Sequence, residues 1–188
     1  TLRATDAATA VSRATAAGGR IVDQLRVLED QLSTAINSGL VSPRTALRIN
    51  ETRVSRLNIT TAAGRALDAI DRLVARAETG GVNLISSRQV PVTIQTTEFG
   101  GRVTVRAQPL DSRGLDLAGI GALTRDQAAE ARSRVRLALH VAENRLSSLT
   151  ALGGTLEFRG GTIQSFIQVG TEGLFEGGVR GRLVNLRA

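Results

Sequence analysis

The chain has 188 residues, a formal charge of +7, 41% hydrophobic residues and only 2% aromatic ones, which is enough length and apolar content for one sizeable core or two small ones. All of its basic residues are Arg, and it holds no Cys, no Met and one His, His140. That composition excludes disulfide frameworks, zinc fingers, thiol nucleophiles, lysine Schiff bases and paired-imidazole metal sites. The core must be built from Leu, Val, Ile and Ala, which suits close-packed long helices. No apolar run approaches the roughly 20 residues of a membrane span, so no membrane contact is expected. The chain does not open on Met, and it reads as a trimmed or excerpted sequence.

The spacing predicts a first helix over residues 4–38. Ile21, Leu25, Leu28, Leu32 and Ala35 alternate intervals of four and three, a heptad seam. Gly18-Gly19 interrupts it and marks a bend or a close helix contact. Gly39 stands where a C-cap is wanted. Ser42-Pro43 then reads as an N-cap followed by a first-turn Pro, and predicts a second helix over 43–78. Its seam runs through Leu47, Val54, Leu57, Ala63, Leu67, Ile70, Val74 and Ala77, with a register shift at Asn58-Ile59-Thr60-Thr61. Gly80-Gly81 ends it.

The period then drops to two. Val90, Val92 and Ile94, followed by Val103 and Val105, alternate with polar residues around Glu98-Phe99-Gly100-Gly101, predicting a β-hairpin over 90–108. Pro91 suggests that the first of these strands is an edge. After a Gly- and Asp-dotted connection, Thr124 and Gln127 form a capping-box pattern. They open a third helix over 124–168 with Val135, Leu139, Ala142, Leu146 and Leu149 on its seam. Leu156, Ile163 and Ile167 continue the apolar trend among many Gly residues, and 169–188 reads as a Gly-rich tail of low stability. The fold class expected is mainly α: an elongated antiparallel helical rod, one domain over 1–188, with one β-hairpin.

Four stretches in this order resemble the bacterial flagellins, particularly the short alphaproteobacterial type. Arg20-Ile21-Val22-Asp23-Gln24-Leu25 through Ser33-Thr34-Ala35 resembles the first helix of the family's inner rod domain. Thr79-Gly80-Gly81-Val82-Asn83-Leu84-Ile85 resembles its turn between second helix and hairpin. Gln108-Pro109-Leu110 with Gly114-Leu115-Asp116-Leu117 resembles the link to the returning helix. Asn144 to Leu149, with Leu156-Glu157-Phe158, loosely matches a conserved region of that helix.

The resemblance implies a structural filament subunit outside the cell that serves motility, exported by the flagellar type III pathway. Its partners would be other subunits, with an export chaperone and a filament cap besides. It also implies that the family's two terminal segments are missing, so that residues 1–188 alone would not form filaments. Other departures are a second helix some three turns longer than the family's, and a Gly-rich stretch where the family continues as helix. A hook–filament junction protein shares the same plan. An animal flagellin-sensing Toll-like receptor reads a basic helix motif in activating members. Here Arg26, Val27, Glu29, Asp30 and Gln31 fall at its positions, which implies weak activation.

From another class, a basic helical module could bind nucleic acid or an acidic polymer. Arg residues interleaved with Asp and Glu, with almost no aromatics to stack bases, favour a solvated helix face instead, and no nucleic-acid partner is expected. Catalytic candidates are thin: His140 with Glu143 or Asn144, Asp68 with Asp71, and Asp126 with Glu130, each at helical spacing. Asp111 and Asp116 could meet a cation, but they lack an EF-hand pattern. Gly153-Gly154 and Gly160-Gly161 follow no strand and precede no Lys, so they are not phosphate loops. Asn50-Glu51-Thr52 and Asn58-Ile59-Thr60 match a glycosylation sequon within a predicted helix. No catalytic residue, cofactor or metal site is assigned. The assembly reading puts Arg48, Arg56, Arg72, Arg132 and Arg136 on outward faces, where they would meet neighbouring subunits or solvent.

Overall fold

The computed structural model describes residues 1–37, 48–49, 52–53, 56–95, 101–122 and 124–175, with side chains described over 1–37, 59–95, 101–122 and 124–156. Strand β1 (Leu2–Arg3) leads directly into helix α1 (Ala4–Asn37). Strands β2 (Arg48–Ile49) and β3 (Thr52–Arg53) precede helix α2 (Arg56–Arg76). Strands β4 (Val92–Gln95) and β5 (Arg102–Val105) form the hairpin, and helix α3 (Arg125–Phe175) closes the order.

α1 is the helix that packs against both of the others. Its buried stripe includes Val11, Ala14, Gly18, Ile21, Leu25, Leu28 and Leu32, continuing the predicted heptad seam towards the N-terminus. α3 meets it through Ala128, Ala131, Val135, Ala138, Ala142 and Leu149, all buried, with Leu139 and Leu146 partly so. α2 adds Ala63, Ile70, Val74 and Ala77. The alternation of Ala and larger aliphatics lets the helices approach closely without voids.

The contacts between α1 and α3 fix their direction. Val11 lies against Gly153, and Gly18 against Leu146. Arg26 pairs with Glu143, and Glu29 with Arg136. As the number rises on one helix it falls on the other, so the two are antiparallel. α3 has 51 residues and α1 has 34. At 1.5 Å per residue they are about 77 Å and about 51 Å long, the proportions of a rod.

Gly18 produces a close contact rather than a bend. α1 is continuous across it, and a Cβ there would stand 2.9 Å from Leu146 Cδ1 and 3.2 Å from Leu110 Cδ1. Packing also explains why α3 passes through Gly153, where a Cβ would stand 3.3 Å from Val11 Cγ1. α3 ends at Phe175, beyond the predicted boundary. The side chains of Ile163 and Ile167 and all of 176–188, most of the predicted tail, lie outside the described residues, as do Gly39 and Ser42-Pro43.

The second helix requires a correction. It was expected from Pro43, yet α2 begins at Arg56, and Arg48 and Ile49 pair antiparallel with Arg53 and Thr52. Ile49 and Thr52 are β-branched and suited to extended backbone, and Asn50 is a weak helix former and a favoured turn residue. The difference from Pro43 to Arg56 is about three and a half turns. The capping box at the start of α3 forms in both directions: Thr124 N–H donates to Gln127 Oε1 and Gln127 N–H to Thr124 Oγ1, each at 3.2 Å.

The sheet holds a second correction. β4 and β5 pair antiparallel, Val92 with Val105 through Gln95 with Arg102, inside the predicted hairpin. β1 then pairs parallel with β4, Leu2 with Ile94 and Arg3 with Gln95, giving the order β1-β4-β5. β4 is therefore central, not an edge. Pro91 stands one residue before the ladder, where its missing N–H costs no hydrogen bond.

Two glycines separate backbone need from helix cost. A Cβ on Gly114 would stand 2.5 Å from Pro109 Cβ and 2.6 Å from Asp111 Oδ1, whereas one on Gly64, in α2, would meet nothing within 4 Å. Gly114→Ala is expected to destabilise the chain by about 1–3 kcal/mol and Gly64→Ala to stabilise it by about 0.5–1 kcal/mol, read as opposite shifts in urea midpoint.

Candidate assembly surface

Two sets of polar contacts shape the side of the rod. The first fastens the irregular chain after α2 to the helices. Gly80 and Gly81 have φ of 58° and 77°, the two positive values a type I′ turn needs, and Thr79 and Val82 exchange backbone hydrogen bonds across it at 2.9 and 3.0 Å. Asn83 follows, 7% exposed. Its Nδ2 donates to the Val74 carbonyl at 2.7 Å, satisfying an acceptor in the last turn of α2, and its Oδ1 accepts Ile85 N–H at 3.2 Å. Gln89 Oε1 accepts the Asn83 N–H at 2.8 Å. The connection returning from β5 is held alongside by Gln108 N–H to Leu84 O at 2.7 Å and Leu110 N–H to Ile85 O at 2.8 Å.

Two of the carboxylates read as candidate acids or cation ligands, Asp71 and Asp111, are parts of this fastening. Asp71 accepts Ser112 N–H and Oγ–H, both at 2.8 Å. Asp111 accepts Ser87 N–H at 2.9 Å, Ser87 Oγ–H at 2.7 Å and Gly114 N–H at 2.7 Å. Asp68 is exposed and Asp71 is engaged, so the two do not form an acid–base pair. Asp116 has φ of 55° and a 96% exposed carboxylate. From α3, Arg134 donates to the Asp116 carbonyl at 2.6 Å, and Arg145 donates to the Pro109 and Gly114 carbonyls. Among the described residues no group of three or more His, Cys, Asp or Glu could hold a metal ion.

The second set bridges the helices. Arg26 Nη2 stands 2.9 Å from Glu143 Oε1. Glu29 Oε1 stands 2.5 Å from Arg136 Nε and 3.8 Å from Arg132 Nε. Arg132 and Arg136 thus converge on α1, Arg136 remaining 56% exposed and Arg132 32%; at that register the seam's flank brings them over Glu29. Arg72 is exposed, as expected, and the Arg48 and Arg56 side chains lie outside the described residues. Glu143 is committed to Arg26, so the exposed His140 has no carboxylate from it, and Asn144, Asp126 and Glu130 are exposed. Val27 is 50% exposed beside Arg26. Asn50 and the Asn58 side chain, the sequon positions, lie outside the described residues.

Beside the Arg26–Glu143 bridge an open groove of about 800 Å³ follows the seam, lined by Gly19, Val22, Asp23, Leu146, Ser147 and Thr150 among others. A hollow of about 200 Å³ near the start of α3 is bordered by Ile120, Gln127, Ala131 and Arg134. Among the described residues no helix is long and apolar enough to cross a membrane.

The fold has a known counterpart. The structure superposes on the crystal structure of Bacillus cereus flagellin with a TM-score of 0.66, over 83% of this chain and 85% of that one, at 16% sequence identity. The chain has a flagellin-like fold. No protein-family model matches it, and no curated protein does.

The bridges differ in what they contribute. Glu29 is 20% exposed and faces two guanidinium groups, whereas the Arg26–Glu143 pair is 57% and 40% exposed. Glu143→Ala should change stability by about 0–1 kcal/mol, while Asn83→Ala should cost about 1–3 kcal/mol by leaving the buried Ile85 N–H without its acceptor and taking one of two donors from the Val74 carbonyl. Thermal melts of both variants check the order.

Proposed function

We propose that the chain is a structural subunit of the bacterial flagellar filament, a flagellin that self-assembles through contacts along its helical rod. The likeness of fold to Bacillus cereus flagellin across 83% of the chain carries this reading. The order of motifs, from Ile21-Val22-Asp23-Gln24-Leu25 through Gly80-Gly81-Val82-Asn83-Leu84 to Gln108-Pro109-Leu110, supports it. In that role the protein lies outside the cell and serves motility. It is exported by the flagellar type III pathway, accompanied by a chaperone and placed beneath a filament cap. Its work is mechanical and calls for no catalytic residue, cofactor or metal.

The internal fastening suits such a role. A subunit in a helical polymer makes heterologous contacts that do not close, so each face must hold its shape under load. Asp71, Arg134 and Arg145 tie the 106–117 connection to the helices and Asp111 ties it to Ser87, which makes the rod side one rigid surface. Exposed positions such as Arg65, Asp68, Arg72 and Arg76 on α2 remain free to set register with neighbours.

Antibodies raised against residues 1–188 test the reading on sheared appendages from cells that carry the gene. Gold label along the whole filament is the expected result. Label at a single band near the filament base would assign the chain to the hook–filament junction, and label absent from appendages would overturn both.

A further inference from the structure

We infer that the outer face of the β1-β4-β5 sheet is a binding surface for an acidic polysaccharide. Pairing fixes which side chains share that face. Leu2 is opposite Ile94, and Ile94 opposite Val103; Ile94 is buried and Leu2 packs against the core. The next register therefore lies on the other side: Arg3, Gln95 and Arg102, one from each strand, in a row. Thr93 and Thr104 pair on the same face, and Arg106 follows one residue past the end of β5. Arg3, Arg102, Thr104 and Arg106 are all exposed.

The charge on this face is unbalanced. Between α1 and α3 the guanidinium groups of Arg26, Arg132 and Arg136 face carboxylates, and Arg145 is taken up by carbonyls. On α2 the exposed Arg65 and Arg72 alternate with Asp68 and Asp71. Among the described residues, the guanidinium groups of Arg3, Arg102 and Arg106 have neither ion pair nor hydrogen bond, and the face carries no carboxylate. The hairpin connection contributes one acid in sequence, Glu98, which lies outside the described residues.

Three guanidinium groups on a flat, twisted ribbon fit a partner with repeated anionic groups. Arg3 and Arg102 are two strand spacings apart, about 9–10 Å, and Arg102 and Arg106 are four residues apart, about 13–14 Å. Guanidinium groups bind sulfate and carboxylate oxygens bidentately, and the Thr hydroxyls between them can exchange hydrogen bonds with sugar hydroxyls. The described part of the face has no aromatic ring, so it lacks the stacking platform that single-stranded nucleic acid uses. It also has no apolar anchor for a lipid surface. The choice of polysaccharide among polyanions rests additionally on the extracellular role proposed above.

The test uses the full chain and heparin as probe, by titration calorimetry over a range of salt. The variant Arg3→Gln/Arg102→Gln/Arg106→Gln is compared with Arg65→Gln/Arg72→Gln/Arg76→Gln, which removes equal charge from α2; circular dichroism checks that both fold. The expected result is at least tenfold weaker heparin binding and a shallower salt dependence for the sheet variant, with the α2 variant within twofold of the parent. Equal losses in both variants, or none in the sheet variant, would overturn the inference. So would tighter binding to a 20-base-pair duplex DNA or to anionic vesicles than to heparin at the same salt. The titration needs no filament, so its failure alongside label along filaments would remove this surface and leave the proposed function standing.

Discussion

The burial of α1 between α2 and α3 is the constraint on which the structure depends. A chain with almost no aromatic residues must obtain its apolar burial from many small side chains, and it does so by length. Ile21, Leu25, Leu28 and Leu32 are each 1% exposed or less, and facing positions on α3 alternate Ala with Val and Leu. Close approach is what such a seam requires, and Gly18 and Gly153 sit where the facing side chains leave no room to spare. The rod is thus a consequence of composition: with small residues, helices bury most by lying alongside one another.

Much of the irregular chain is then fastened to the helices. β1 and β4 pack against α1, β5 pairs with β4, and the 106–117 connection finds several of its polar partners within the chain. Asn83 closes the end of α2, Asp71 holds the connection from α2, Asp111 within it holds Ser87, and Arg134 and Arg145 hold it from α3. A titratable group engaged in this way serves geometry rather than chemistry. Residues that read in isolation as a catalytic or metal site become, in place, the means by which a loop acquires a fixed shape.

How much of this was legible in sequence depends on periodicity. The seams of α1 and α3 followed from three-and-four spacing, and the hairpin from alternation, because burial imposes those periods directly. The beginning of the second helix was misread, since Ser42-Pro43 is a strong local start signal and the extended preference of Ile49 and Thr52 is weak until a partner strand is counted. β1 was missed because two residues carry no period, and its pairing with β4 spans the chain. Arg132 and Arg136 were assigned outward because a helical wheel shows the flank of a seam but not the charge across it; Glu29, at a complementary position on α1, was the available signal. For Arg145 there was none, as a guanidinium bound to carbonyls leaves no pattern in side-chain spacing.

The antiparallel register of α1 against α3 underlies the fold, the fastening and the proposed role alike, and the absence of native Cys makes it directly measurable. Gly18→Cys with Leu146→Cys should close an intrachain disulfide under mild oxidation, seen as faster migration on a non-reducing gel and a loss of free thiol. The same Gly18→Cys paired with Leu139→Cys, two turns away on α3, should remain open. Preferential cross-linking to position 139, or equal cross-linking to both, would contradict the register and with it the rod on which the account is built.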